Sequence, residues 1–143
     1  MSAQPEARPV VIRVRSREGE GEPMELISQG RYVPLEDGWM LSYAESALSG
    51  MAGAYTRVML QGDRATVERT DAVSSTMVFQ AGKRCPFTYS LPEGTLRMAV
   101  DCQRVDGGAD AAGGWLTLRY GMELGGGQAV SHSLELTYRF HDA

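Results

Sequence analysis

VERTDAVSSTMVFQAGKRCPFTYSLPEGT, residues 67–95, is the stretch whose reading decides the fold. With Ala65 and Thr66 before it, it holds three short runs, Ala65–Arg69, Ser75–Phe79 and Cys85–Leu91, separated by turn residues. Bulky apolar residues fall on every second position: Val67, then Met77 and Phe79, then Phe87, Tyr89 and Leu91. That is the period of a β-strand with one face buried. Arg69 stands in the buried phase, with Ser75 and Cys85 as milder polar companions. An arginine in phase with an apolar face is either paired inside the fold or offered to a ligand.

The same period runs outward in both directions. Val10, Ile12 and Val14 alternate with Val11, Arg13 and Arg15; Met24, Leu26, Ser28, Gly30 and Tyr32 share one face of a second strand. Gly30 in mid-strand predicts a bend or bulge. Trp39, Leu41, Tyr43 and Glu45 mark a third strand, and Thr56, Val58 and Leu60 a fourth. Ala44 to Gly53 is rich in small residues and is the expected lid of a barrel mouth. Gly62-Asp63 predicts a type II′ hairpin. Leu96, Met98, Val100 and Cys102 line the next strand, and residues 106–114, DGGADAAGG, are expected to form a flexible tip. Leu116 to Leu124 and Val130 to Phe140 close the series, with inward residues that include Tyr120 and His132.

About eight to ten strands joined by hairpin turns, with no sustained helical period, predict an all-β, single antiparallel up-and-down barrel. Closure into a barrel removes the edges an open sheet would expose. Residues 1–8 are expected to be a disordered tail, and residues 9–142 the barrel domain.

Bulk properties narrow the function classes. The formal net charge of -4 and a pI near 5.2 argue against nucleic acid or an anionic membrane surface as partner. Arg13, Arg15 and Arg17 read as a solvated strand face offset by Glu18, Glu20 and Glu22. No apolar run reaches the length of a membrane helix, and the N-terminal residues lack signal-peptide features, so a cytoplasmic protein is expected. Cys85 and Cys102 are then expected as free thiols. The expected oligomeric state is monomer or homodimer.

The succession GRYVPLEDGWMLSYAES, then VERTDAVSSTMVFQAGKR, then Tyr89 with the turn at Pro92–Gly94, resembles the bacterial YwiB-like proteins (domain of unknown function 1934). The most specific parts are Tyr43-Ala44-Glu45-Ser46 and Ser74-Ser75-Thr76-Met77-Val78-Phe79. The resemblance runs from about Val10 to Phe140 and implies a lipocalin-like (calycin) β-barrel without implying an activity. The chain departs from the family pattern near Arg84-Cys85-Pro86 and in its glycine-rich tips.

Candidate site residues are those whose polarity conflicts with an inward phase, together with their apolar neighbours: Arg69, Tyr43, Glu45, Ser75, Met77, Phe79, Tyr89 and His132, with Thr56 beside them. Two readings stay open. Arg69 could anchor an anionic group inside an apolar barrel, with the Tyr43 and Tyr89 hydroxyls donating. Alternatively, Arg69 and Glu45 pair with each other and the barrel is filled by its own side chains, as in an interaction or regulatory protein. His132 reads as a core histidine satisfied by hydrogen bonds. Two distant histidines and two distant cysteines give no metal-ligand spacing. No nucleophile elbow, phosphate loop or cofactor motif is present, so no catalytic residue and no cofactor are assigned. The expected partner is a small apolar or anionic ligand.

Overall fold

A computed structural model of the chain describes residues 7–45 and 52–141. These residues form ten strands and, among them, no helix: β1 (Arg8–Glu18), β2 (Met24–Leu35), β3 (Gly38–Ala44), β4 (Ala54–Gln61), β5 (Arg64–Asp71), β6 (Ser75–Gln80), β7 (Arg84–Leu91), β8 (Gly94–Ala109), β9 (Gly113–Leu124) and β10 (Val130–Phe140). All ladders are antiparallel, in the order β6-β5-β4-β3-β2-β1-β10-β9-β8-β7. The first and last strands are therefore neighbours, and the break in the ladder falls between β6 and β7. The result is an up-and-down barrel, nearly closed.

One pair of backbone hydrogen bonds bridges the break. Ser74 and Ser90 exchange backbone bonds at 2.9 and 2.8 Å. At the other end the turn that joins β6 to β7 is tied to β8 instead: Gly82 donates to the Cys102 carbonyl at 2.9 Å and Cys102 donates to the Lys83 carbonyl at 3.0 Å. Between these points the seam stays unladdered, and Pro86 supplies a reason. Ser90 turns its backbone toward β6, so every second residue back along β7, Thr88 and Pro86, does the same. Pro86 has no N–H to give there.

Inside, the strand registers stack side chains into rows across β3, β4, β5 and β6. Trp39, Leu60, Ala65 and Phe79 make one row; Leu41, Val58, Val67 and Met77 make the next; Tyr43, Thr56, Arg69 and Ser75 make the third. The first two rows are apolar and buried, while the third carries a hydroxyl, a hydroxyl, a guanidinium and a hydroxyl. An aromatic group fills the barrel on the apolar side. The Trp39 and Tyr138 rings lie 5.0 Å apart, and Tyr32 packs 5.5 Å from Tyr138 and 5.0 Å from Phe140.

Several sequence-based expectations need adjustment. Arg8, assigned to a tail, opens β1 opposite Tyr32 and lies 3.6 Å from the centre of the Phe140 ring. The rest of that tail apart from exposed Ala7, and most of the expected lid, lie outside the described residues. The stretch 106–114 is no flexible tip. Gly107 and Gly108 are paired in β8 with Leu116 and Trp115, leaving a turn at Asp110 to Ala112. Asp110 Oδ1 accepts from the Ala112 and Gly113 N–H groups at 2.8 and 3.0 Å. The glycines are there because Leu60, Trp115 and Tyr138 occupy the space a Cβ would need at 107, 108 and 114. Leu96, expected inside, is exposed near the start of β8. The Gly62-Asp63 hairpin agrees with expectation: Gly62 takes φ 61° and Asp63 has no positive φ, as type II′ requires.

Gly30 marks neither a bulge nor a broken register; it pairs regularly with Val10. A Cβ at this position would sit 2.5 Å from both the Ser42 carbonyl oxygen and Ile12 Cδ1. Gly30→Ala is therefore expected to destabilise the fold by about 1–3 kcal/mol through overpacking. Urea denaturation checks it; an unchanged midpoint would mean that β2 and β3 yield freely at this point.

Candidate functional site

The third interior row gathers the chemistry. Glu45 follows β3 by one residue and is tied there by its N–H, which donates to the Ala54 carbonyl at 2.9 Å. Its side chain is 1% exposed. The Thr56 hydroxyl donates to Glu45 Oε2 at 2.6 Å, and Arg69 Nε lies 3.8 Å from that same oxygen, with 15% of the arginine side chain exposed. The ion pair is real by distance, yet 3.8 Å is too long for a hydrogen bond. Arg69 Nη1 points instead at the Met77 thioether, 3.8 Å away, a weak acceptor.

The charge here is balanced while the hydrogen bonding is not. Glu45 Oε1, Arg69 Nε and Ser75 Oγ are all buried without a hydrogen-bond partner among the described residues. Native interiors leave few such groups, and a cluster of three on adjoining side chains calls for a cause. Tyr43 completes the row. Its phenol is pushed well above the ordinary range, first by burial and then by the Glu45 charge, with Arg69 opposing and a hydrogen-bonding interaction with the Glu45 carboxylate adding to the rise, so it stays a hydroxyl that donates toward Glu45. Tyr120 reaches the cluster from β9. Burial raises its phenol, against the Arg69 charge, and its ring stands 4.8 Å from that of Phe79.

The structure thus brings together Tyr43, Glu45, Thr56, Arg69, Ser75 and Met77, and places Phe79 one step away through Tyr120. Tyr120 escaped the sequence reading because an inward tyrosine passes for core; its only signal was a hydroxyl in the buried phase. Tyr89 is half-buried on β7 opposite Leu96, and among the described contacts none joins it to the cluster. His132 is not the hydrogen-bonded core histidine expected. It is half-buried and stacks on Tyr120 with ring centres 5.3 Å apart and planes within 6°, because its register position lies directly opposite. Cys85 and Cys102 are both free thiols. Among the described residues no group of three His, Cys, Asp or Glu side chains is placed to hold a metal ion.

Two features adjoin the cluster. At the barrel end where β2, β8 and β10 begin and β9 finishes, the inward-phase residues Met24, Leu96, Leu124 and Val130 are 42–56% exposed, forming an apolar rim. The unladdered seam forms a cleft of about 290 Å³ lined by Ser74, Ser75, Thr76, Pro86, Phe87 and Thr88, so Ser75 belongs to both cleft and cluster.

A family model described as domain of unknown function (DUF1934) matches residues 10–136. The crystal structure of the ywiB protein from Bacillus subtilis superposes with a TM-score of 0.83 at 22% sequence identity, covering 94% of this chain and 92% of that one. The likeness is one of fold. Among curated proteins none matches the chain.

The His132 environment carries a pH signature. Burial lowers its pKa from 6.5, with the Glu18 charge opposing. The unfolded chain then binds the proton more readily than the folded one, so this contribution is present above about pH 6.5 and is lost as pH falls below it. His132→Phe, which keeps an aromatic ring against Tyr120, is expected to flatten the decline of Tm between about pH 6.5 and 5. Parallel melts across that range check it; identical slopes would show that His132 does not titrate with folding.

Proposed function

The chain belongs to the DUF1934 family, and from that premise we propose that its barrel is a small-molecule binding module whose polar row holds the ligand head group. The observation that carries this reading is the trio of buried, unpartnered atoms: Glu45 Oε1, Arg69 Nε and Ser75 Oγ. They ask for a head group with both kinds of hydrogen-bonding atom. An oxygen acceptor would satisfy Arg69, and a hydroxyl or amide N–H would satisfy Glu45. A bare anion suits the row less well, because the Glu45 charge already faces Arg69 and would repel it. A neutral head group that both donates and accepts, an amide or a hydroxyl-bearing carbonyl on a largely apolar body, matches these groups. Phe79, Met77 and Tyr120 supply the apolar wall.

A second reading has its own support. The Glu45–Arg69 pair and the Thr56 hydrogen bond already neutralise the buried charge, and aromatic rings fill the other end. In that reading the barrel is filled by its own side chains and works through its outer surface.

Native mass spectrometry of the protein purified from its own cells separates the two. The binding reading expects a discrete added mass on the wild type. The double variant Glu45→Gln/Arg69→Met removes both charges together, so it should fold and lose that mass. Arg69→Met alone is expected to cost up to about 3–5 kcal/mol, because it strands a buried carboxylate. Wild-type protein at its bare polypeptide mass, with the double variant equally stable, would favour the filled barrel.

A further inference from the structure

On the outer surface, β1, β10, β9 and β8 lie side by side, and their outward residues form rows across the sheet. Arg17 is opposite Ser133, Ser133 opposite Arg119, and Arg119 opposite Arg104. The neighbouring row is Arg15, Glu135, Thr117 and Asp106. With neighbouring strands about 4.8 Å apart, each row spans roughly 14 Å. Apart from Asp106, the residues of the two rows line a cleft of about 490 Å³.

Four arginines meet one carboxylate, Glu135, in that lining, on a protein whose net charge is -4. Arg104 reaches Asp106 at 3.1 Å, with both side chains about half exposed. Among the described residues Arg15, Arg17 and Arg119 make no ion pair. The pairing of Arg104 with Arg119 comes from a backbone irregularity. Tyr120 faces Cys102, so an unbroken register would set Gln103 against Arg119; a register shift between Cys102 and Arg104 brings Arg104 there instead. Like charges directly opposite on neighbouring strands repel, and bulges serve to re-aim side chains. Here the bulge places two cations together beside a third, with the Ser133 hydroxyl between Arg17 and Arg119.

We propose that this outer cleft binds the phosphate group of a small phosphorylated molecule. Guanidinium forks match phosphate oxygens two at a time, and arginines from three strands face one concave spot. A carboxylate would occupy one fork and leave the others repelling. A nucleic-acid strand would need a longer basic track. The basic surface ends here: Arg13, one step further along β1, is held by Glu25 at 3.5 Å, and Asp106 and Glu135 occupy the adjoining row. This site is separate from the interior row and does not rest on the reading of it.

Isothermal titration calorimetry at low salt tests the proposal, with inorganic phosphate and glycerol 3-phosphate as probes and sulfate at matched ionic strength as the control. Saturable one-site binding of a phosphate probe, stronger than sulfate, is expected. Tighter binding of glycerol 3-phosphate points to an organic phosphate, and equal or tighter binding of inorganic phosphate to the free ion; either supports the site. Arg119→Gln and Arg17→Gln should each weaken binding about tenfold or more, while Arg31→Gln on β2 should not. The unliganded Arg119→Gln protein should melt at or above the wild type, since it loses a repulsion. Several results would overturn the proposal: no saturable binding, sulfate bound as well as phosphate, an unchanged affinity in Arg119→Gln, a clear fall in its melting temperature, or tighter binding of a single-stranded oligonucleotide.

Discussion

The Glu45 carboxylate sits inside the barrel almost out of reach of water, and one end of the molecule is built around that fact. A lone buried carboxylate costs several kcal/mol and would sooner take up a proton than stay charged. Here the register of β3, β4, β5 and β6 supplies its company. Thr56 and Arg69 occupy the next two strands at the right height, and Ser75 the strand after. Had β5 paired with β4 one residue out of step, Arg69 would have pointed to solvent, since a single-residue slip reverses every side chain. The polar row and the apolar rows below it therefore hold one another in register.

Closure adds a second constraint. Sequence neighbours pair throughout except at β6 and β7, where the chain needs a seam and Pro86 withholds a donor. The Ser74–Ser90 bonds fasten one end of that seam, the β6–β7 turn closes the other and is tied to β8 through Cys102, and the middle stays unlaced. An unlaced edge is a hazard in an open sheet, but here each edge faces the other. The seam also lies beside Ser75, so this discontinuity in the barrel wall adjoins the polar row inside it.

Much of this was legible in the sequence. Alternation alone marked the strands, and the inward phase of Arg69, Glu45, Thr56 and Ser75 singled out the cluster before any contact was known. What it could not carry was anything set by pairing. Residues 106–114 look like a loop because glycine and alanine have no phase, yet their neighbours Leu60, Trp115 and Tyr138 make glycine the residue that fits. Arg15 and Arg17 read as an ordinary wet strand face. Their meeting with Arg119 and Arg104 depends on three ladders and a bulge, and no local pattern encodes those. His132 was placed on the correct face, but its stacking on Tyr120 follows from cross-strand register.

The measurement that bears most directly on the interior site is a crystal structure near atomic resolution of the protein as purified from its own cells. The account predicts density for a non-protein organic molecule within hydrogen-bond distance of at least two of Glu45 Oε1, Arg69 Nε and Ser75 Oγ. Finding those three atoms satisfied by water alone, or by one another after a change of rotamer, would contradict it.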